Sequence, residues 1–241
     1  MTTPHEPAPA LIAVGHGSRD PRAATTLRLL VDRVRELRPG LDIRLAHLEI
    51  DAPLLRDTPV GDAVLVPLLL TRGHHVKHDL PAAAARAPRT RVAAPLGPHP
   101  LLVEALADRL AEAGWTPGGG AGAGVVLAAA GSRDPESGAD TRRLAALLGE
   151  RLGGVPVVPA YASAAGPTVP EALRALAARG RHRVAVASCF TAPGLFATRA
   201  AAHAPWIASA PLGAHPALAR LVLHRYEEAL SHAPQRELAA T

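Results

Sequence analysis

The chain has 241 residues, 48% of them hydrophobic, a formal net charge of +5 and only 2% aromatic residues. That length and apolar fraction support a substantial buried core, in one large domain or two small ones. So few rings argue against a reader that stacks nucleobases. Lys77 is the only lysine, and the arginines are spread along the chain, so nucleic acid is not expected as a partner. A net positive field does favour an anionic ligand. Cys189 is the only cysteine, which excludes an internal disulfide and a Cys-rich metal site and fits a reducing cytoplasm. Residues 1–10 lack the pattern of a signal peptide. No apolar run reaches the ~18 residues of a membrane span. A cytoplasmic protein without a membrane partner is expected.

The first element is a strand, Leu11–Val14, that stops at Gly15-His16-Gly17-Ser18. Asp20-Pro21 reads as an N-cap followed by an N1 proline. The helix it opens runs to Leu37, with Leu27, Leu30, Val31, Val34 and Leu37 on one face, and stops at Pro39-Gly40. Leu41–Leu48 is a second strand, followed by Glu49, and Asp51-Ala52-Pro53 opens a short helix. Ala63–Leu70 is a third strand, apolar on both faces like a buried parallel strand. It ends in Thr71-Arg72-Gly73-His74-His75-Val76-Lys77-His78-Asp79, where Asp79 can cap the next helix. Arg91–Ala94 is a fourth strand, and Pro95-Leu96-Gly97-Pro98-His99-Pro100 leads into a helix over Leu101–Glu112. Alternating strands and helices predict a parallel α/β sheet covered on both faces.

After the Gly-rich stretch Trp115–Gly124, which reads as a flexible linker, the programme repeats. Ala130-Gly131-Ser132-Arg133-Asp134-Pro135 matches His16–Pro21, and Ser163 and Pro167 match Glu49 and Pro53. Val184–Phe190 and Thr191 match the third strand and Thr71, and Pro211–Pro216 matches Pro95–Pro100. Two homologous lobes follow, each a small parallel sheet flanked by helices, with a cleft between them. The expected boundaries are residues 1–115, a linker at 116–123, residues 124–233 and a flexible tail at 234–241.

Features kept in both halves serve the fold, and features of one half are candidates for function. Gly-Ser-Arg-Asp-Pro is shared, and so are His99 and His215 at helix starts. His16, however, faces Ala130. Glu49 faces Ser163, His75 faces Leu195 and Lys77 faces Ala197. The first half therefore reads as active and the second as a copy that has lost the site. His16, Glu49 and His75 fall at the carboxyl ends of three successive strands, where such sheets open a crevice. Two imidazoles and a carboxylate suit a divalent Fe, Co, Ni or Zn ion and proton transfer near neutral pH. Glu49 also reads as a strand-end surface charge, and His74 and His78 as accessory. Cys189 reads as inert core. No phosphate-binding glycine loop, dinucleotide fingerprint or G-x-S-x-G elbow is present. A hydrolase using Ser18 is disfavoured by the matching Ser132.

Val14-Gly15-His16-Gly17-Ser18-Arg19, Leu48-Glu49 with Pro53, and Pro95-Leu96-Gly97 bracket the resemblance. Val66–Leu70 with Gly73, His75, Val76, Asp79 and Pro81 completes it. Together they resemble the class II tetrapyrrole chelatases of the CbiX/SirB type, the sirohydrochlorin chelatases, in their long two-lobed form. The resemblance implies ATP-independent insertion of Fe²⁺ or Co²⁺ into sirohydrochlorin, an anionic tetrapyrrole. It implies no cofactor beyond the substrate metal, with Ni²⁺ or Zn²⁺ accepted in vitro. It makes His16 and His75 the catalytic, metal-contacting pair, with Glu49 assisting. Arg19, Arg72, Lys77 and Arg133 are then expected to clamp the substrate's carboxylates. The alternative is a two-lobed metal or tetrapyrrole carrier without turnover.

Overall fold

The computed structural model describes residues 8–117 and 120–231. The expectations for residues 1–7, for Gly118-Gly119 within the linker and for the 234–241 tail lie outside them. Among the described residues there are two four-stranded parallel sheets, each with its own helices. The first contains β1 (Ala10–Gly15), β2 (Ile43–His47), β3 (Ala63–Pro67) and β4 (Arg91–Val92), in the order β2-β1-β3-β4. The second contains β5 (Ala123–Ala129), β6 (Val157–Tyr161), β7 (Arg183–Cys189) and β8 (Ile207–Ala208), in the order β6-β5-β7-β8. The two orders are the same, as the internal repeat requires. In each sheet the strand order reverses around the first strand, so the crevice opens at the carboxyl ends of β1 and β5.

Alternation along the strands builds three cores. Leu11, Ala13, Val64 and Val66 face the middle of the molecule with Val125, Leu127, Ala185 and Ala187, forming one continuous cluster across both halves. Ile12, Val14 and Leu65 face a smaller outer cluster, and Val126, Ala128 and Val186 face its counterpart. With both faces covered, these strands are apolar throughout, as the sequence indicates.

The helices between the sheets are α1 (Pro21–Leu37), α3 (Pro100–Glu112), α4 (Pro135–Arg151) and α7 (Pro216–Ser231). Short α2 (Leu80–Ala84), α5 (Val169–Ala177) and α6 (Leu195–Ala201) complete the chain. Asp20 and Asp134 cap α1 and α4 alike, each accepting from the backbone N–H two residues on. The predicted stripe of α1 is buried except for Leu37 in its last turn, which is 47% exposed. His99 and His215 likewise cap α3 and α7 through Nδ1.

Helices α3 and α7 cross between the halves. The first packs on α4 and β7, and the second on α1 and β3. A matched pair of arginines fixes the exchange. Arg109 of α3 donates to the Leu212 carbonyl of the second half at 2.8 Å, and Arg225 of α7 to the Leu96 carbonyl of the first at 3.5 Å. The fold therefore closes by an exchange of terminal helices.

Several expected elements end differently. β2 is Ile43–His47 and not Leu41–Leu48. β3 stops at Pro67 and not Leu70, because β1 has already turned away at Gly15 and offers no further partner. β4 is only Arg91–Val92. In place of the helix expected at Asp51, a run of bends leads into a 3-10 turn at Leu55–Asp57. Trp115 is no part of a mobile linker: it is 7% exposed and stacks on Trp206 with ring centres 5.6 Å apart. Gly124 lies inside β5.

Candidate active site

The turn after β1 is built around Gly17, whose φ of +101° lies in the left-handed region. A Cβ there would stand 1.8 Å from the Glu49 carbonyl oxygen. The β2–Leu55 segment is pulled that close by hydrogen bonds from the Leu48 and Glu49 N–H groups to the Gly15 and His16 carbonyls, each 2.9 Å. The second half repeats this construction: Gly131 has φ +90°, and its Cβ would meet the Ser163 carbonyl at 1.9 Å. Gly17 is thus scaffold, and it holds His16 exposed at the end of β1.

His75 arrives from the other side, on the loop after β3. Residues His75–Asp79 form one π-helical turn, in which the Leu80 N–H bonds the His75 carbonyl, a departure from regular helix found disproportionately at functional sites. Asp79 does not cap the next helix, because its own backbone is already helical. Its carboxylate instead lies 2.6 Å from His75 Nδ1, one turn away. That partner places the proton on Nδ1 and leaves Nε2 as the lone-pair nitrogen. His16 Nδ1 faces the Gly17 carbonyl at 3.3 Å, with the same consequence.

The His16 and His75 ring centres are 4.7 Å apart and the rings perpendicular. A metal–nitrogen bond of about 2.1 Å puts each ring centre about 3.2 Å from an ion, so two rings sharing one ion stand roughly 4.5–5.2 Å apart. The pair is therefore at chelating distance. It borders a cleft of about 700 Å³ between the halves, within the range of small-molecule sites. The opposite wall comes from the second half: an apolar stretch of Phe190, Ala192, Pro193, Leu195 and Phe196, with the hydroxyls of Ser132, Ser163 and Thr191 beside it. Leu195 and Phe196 are 61% and 38% exposed, so two large apolar side chains stand open to the cleft.

The remaining expected residues scatter. Glu49 is exposed and lines a shallower depression of about 410 Å³ behind His75, together with Asp79. His75 borders both spaces. Arg19 lines the cleft, whereas Arg133 is exposed outside its lining.

Arg72 and Lys77 face α4 and not the cleft. Arg72 makes a two-pronged contact with Asp140 at 2.5 and 3.0 Å, and its own N–H donates to the same carboxylate. Asp140 is only 2% exposed, and Thr71 bonds Ser137 beside it at 2.8 Å. Lys77 lies 2.7 Å from Asp134 and 2.8 Å from Glu136, and holds the Asp134 carboxyl below the usual carboxylate range. The half that lacks counterparts of His16 and His75 thus anchors both ends of the loop that carries His75. Arg72→Ala would leave Asp140 buried beside no cation. The expected cost is about 1–3 kcal/mol, towards the low end because the guanidinium is half exposed and screened. Chemical denaturation measures it, and an unchanged midpoint would refute the anchoring role.

Sequence reasoning overlooked Asp51 and Ile50. Asp51 accepts the Ser18 N–H at 2.9 Å and lines the cleft; its counterpart is Ala165, a difference the comparison of halves contains. Ile50 and its counterpart Ala164 both hold left-handed backbone, with φ of +66° and +57°. That conformation is costly for a β-branched residue, and it leaves the Ile50 side chain 56% exposed in the cleft lining. Cys189 borders the cleft floor but is fully buried, and burial pushes its thiol up to about 12. It is inert, as expected. No described helix is long and apolar enough to cross a membrane.

Known proteins are similar to this chain in sequence and fold. A sirohydrochlorin ferrochelatase from Bacillus subtilis (strain 168) is 29% identical over 175 residues, which cover 67% of this chain and 66% of that protein. A sirohydrochlorin cobaltochelatase from Methanopyrus kandleri is 26% identical over 137 residues, 43% of this chain and 96% of that protein. The solved structure of SirB from Bacillus subtilis with Fe³⁺ superposes with a TM-score of 0.71 at 25% identity, covering 92% of this chain and 95% of SirB. The CbiX family model matches twice, over residues 10–113 and 124–229, once on each half of the internal repeat. Two copies of one family unit, joined near Trp115 and locked by exchanged helices, place this chain in the CbiX family.

Proposed function

We propose that the protein inserts a divalent cation, Fe²⁺ or Co²⁺, into sirohydrochlorin without ATP or any further cofactor, and that it works in the cytoplasm. One observation carries this reading. A pair of imidazoles at chelating distance faces an exposed apolar wall across a cleft large enough for a macrocycle. The metal relatives named above point the same way.

The chemistry follows from the arrangement. The cation sheds water as His16 and His75 Nε2 take it up. The ring of the tetrapyrrole lies against Leu195 and Phe196, so that its nitrogens face the imidazole pair. Holding both reactants makes a bimolecular encounter local. Two pyrrole N–H protons must leave as the cation enters, and imidazole accepts protons efficiently near neutral pH. Glu49 and Asp79, behind His75, provide carboxylates towards solvent. Arg19 pairs with a peripheral carboxylate of the substrate.

The test is spectrophotometric: sirohydrochlorin with Co²⁺ or Fe²⁺ and catalytic amounts of protein. Many turnovers per chain are expected. A spectral change that stops at one equivalent would reveal a carrier instead. The apolar wall makes its own prediction. Phe196→Asp should raise the KM for sirohydrochlorin several-fold, since an exposed aromatic face contributes on the order of 1 kcal/mol to stacking. Its binding of Co²⁺ alone, followed by calorimetry, should match wild type.

A further inference from the structure

We propose that His74 and His78 form a second metal site at the rim of the cleft, which collects the cation before it passes to His16 and His75. The His74 backbone is already helical, with φ −49° and ψ −50°. The loop therefore presents two parallel pairs one turn apart, His75 with Asp79 and His74 with His78, each on a common face. In the first pair the carboxylate occupies a ring nitrogen. In the second nothing does: both residues are exposed, and neither has a hydrogen-bond or ion-pair partner among the described residues.

Their ring centres are 4.5 Å apart, the separation two imidazoles take up on one first-row cation with bonds of about 2.1 Å. His74 also lies 6.1 Å from His75 and lines the cleft. Four imidazoles thus run in sequence, His78, His74, His75 and His16, from the outer rim to the insertion point. No group of three or more ligating side chains exists among the described residues. Water must complete the coordination at each pair, so each holds its cation loosely enough to release it, as transfer requires. The pair is also confined to the active half, since Gly194 and Thr198 stand at its positions in the other.

A second close histidine pair, His99 and His224 with ring centres 4.8 Å apart, supplies the contrast. There His99 Nδ1 already accepts the Leu101 N–H, and the Arg225 charge bears on the same ring. That pair is unsuited to a cation.

Binding of the second cation stands on this geometry alone; the transfer step rests on the chelatase reading. Calorimetric titration of the full chain with Co²⁺ alone, without tetrapyrrole, separates the two. Wild type should take up two equivalents. His16→Ala/His75→Ala should keep one, and adding His74→Gln/His78→Gln should remove it. His74→Gln/His78→Gln by itself should leave one equivalent and raise the metal KM of insertion. His224→Ala should change neither. The site is refuted if a folded His16→Ala/His75→Ala chain binds no Co²⁺, or if its remaining equivalent survives loss of His74 and His78. Should the first pair of substitutions unfold the chain, the His74→Gln/His78→Gln chain decides alone: two equivalents retained refutes the site. If wild type binds two equivalents but never turns over sirohydrochlorin, the chelatase reading fails and the second site stands.

Discussion

His16→Ala is expected to lower the rate of the proposed metal insertion by on the order of 10²–10⁴-fold, since it removes the proposed metal contact and proton acceptor at once. The melting temperature should stay close to wild type. His16 is exposed and contributes nothing to the three cores. The protein also carries its own control: Ala130 occupies the matching place after β5, in a turn with the same glycine conformation and the same backbone bonds to the neighbouring segment. An alanine is therefore compatible with this turn. His75→Ala should produce a comparable loss, with Asp79 left without its ring partner. Steady-state insertion of Co²⁺ at saturating sirohydrochlorin, beside a thermal melt, measures both effects. Turnover at the wild-type rate in a folded His16→Ala chain would remove the basis of the proposed mechanism.

The sheet, the helices facing it and the repeat are legible in the sequence because each rests on local periodicity or on turn residues that must be copied to be kept. The proximity of His16 and His75 is legible for a related reason. Both follow strands that pair with each other, and both lack counterparts in the second half. Arg72 and Lys77 show where such reading stops. Cations near a site for an anionic substrate are natural clamps, but nothing local distinguishes a free guanidinium from one paired with Asp140, far away in the chain. The exchange of α3 and α7 is hidden in the same way. An apolar stripe says that a helix face is covered, not which half covers it. Asp79 is an intermediate case: its spacing to His75 is visible, yet a first-turn aspartate before Leu80-Pro81 resembles a cap, and only the π-helical turn turns it towards the imidazole.

Gly131→Ala separates scaffold from chemistry more severely than any substitution in the histidine pair. The residue lies in the half without catalytic histidines. Even so, the structure predicts that this smallest of changes destabilises the protein by roughly 2–6 kcal/mol, from left-handed backbone on a non-glycine residue and from overpacking. The added methyl would stand 1.9 Å from the Ser163 carbonyl. That carbonyl cannot retreat without breaking the 3.0 Å bond from the Ser163 N–H to Ala130, and with it the junction of β5 and β6. The loss approaches the whole stability of an ordinary domain, so a lowered denaturation midpoint and a reduced yield of folded protein are expected together. Activity per folded molecule should fall much less than in His16→Ala, because the imidazole pair belongs to the other sheet. It should still fall somewhat, since Gly131 and Ser132 border the cleft and α4 anchors the loop that carries His75. A Gly131→Ala chain as stable as wild type would show that the close approach at this turn is not a constraint, and the same doubt would then pass to Gly17.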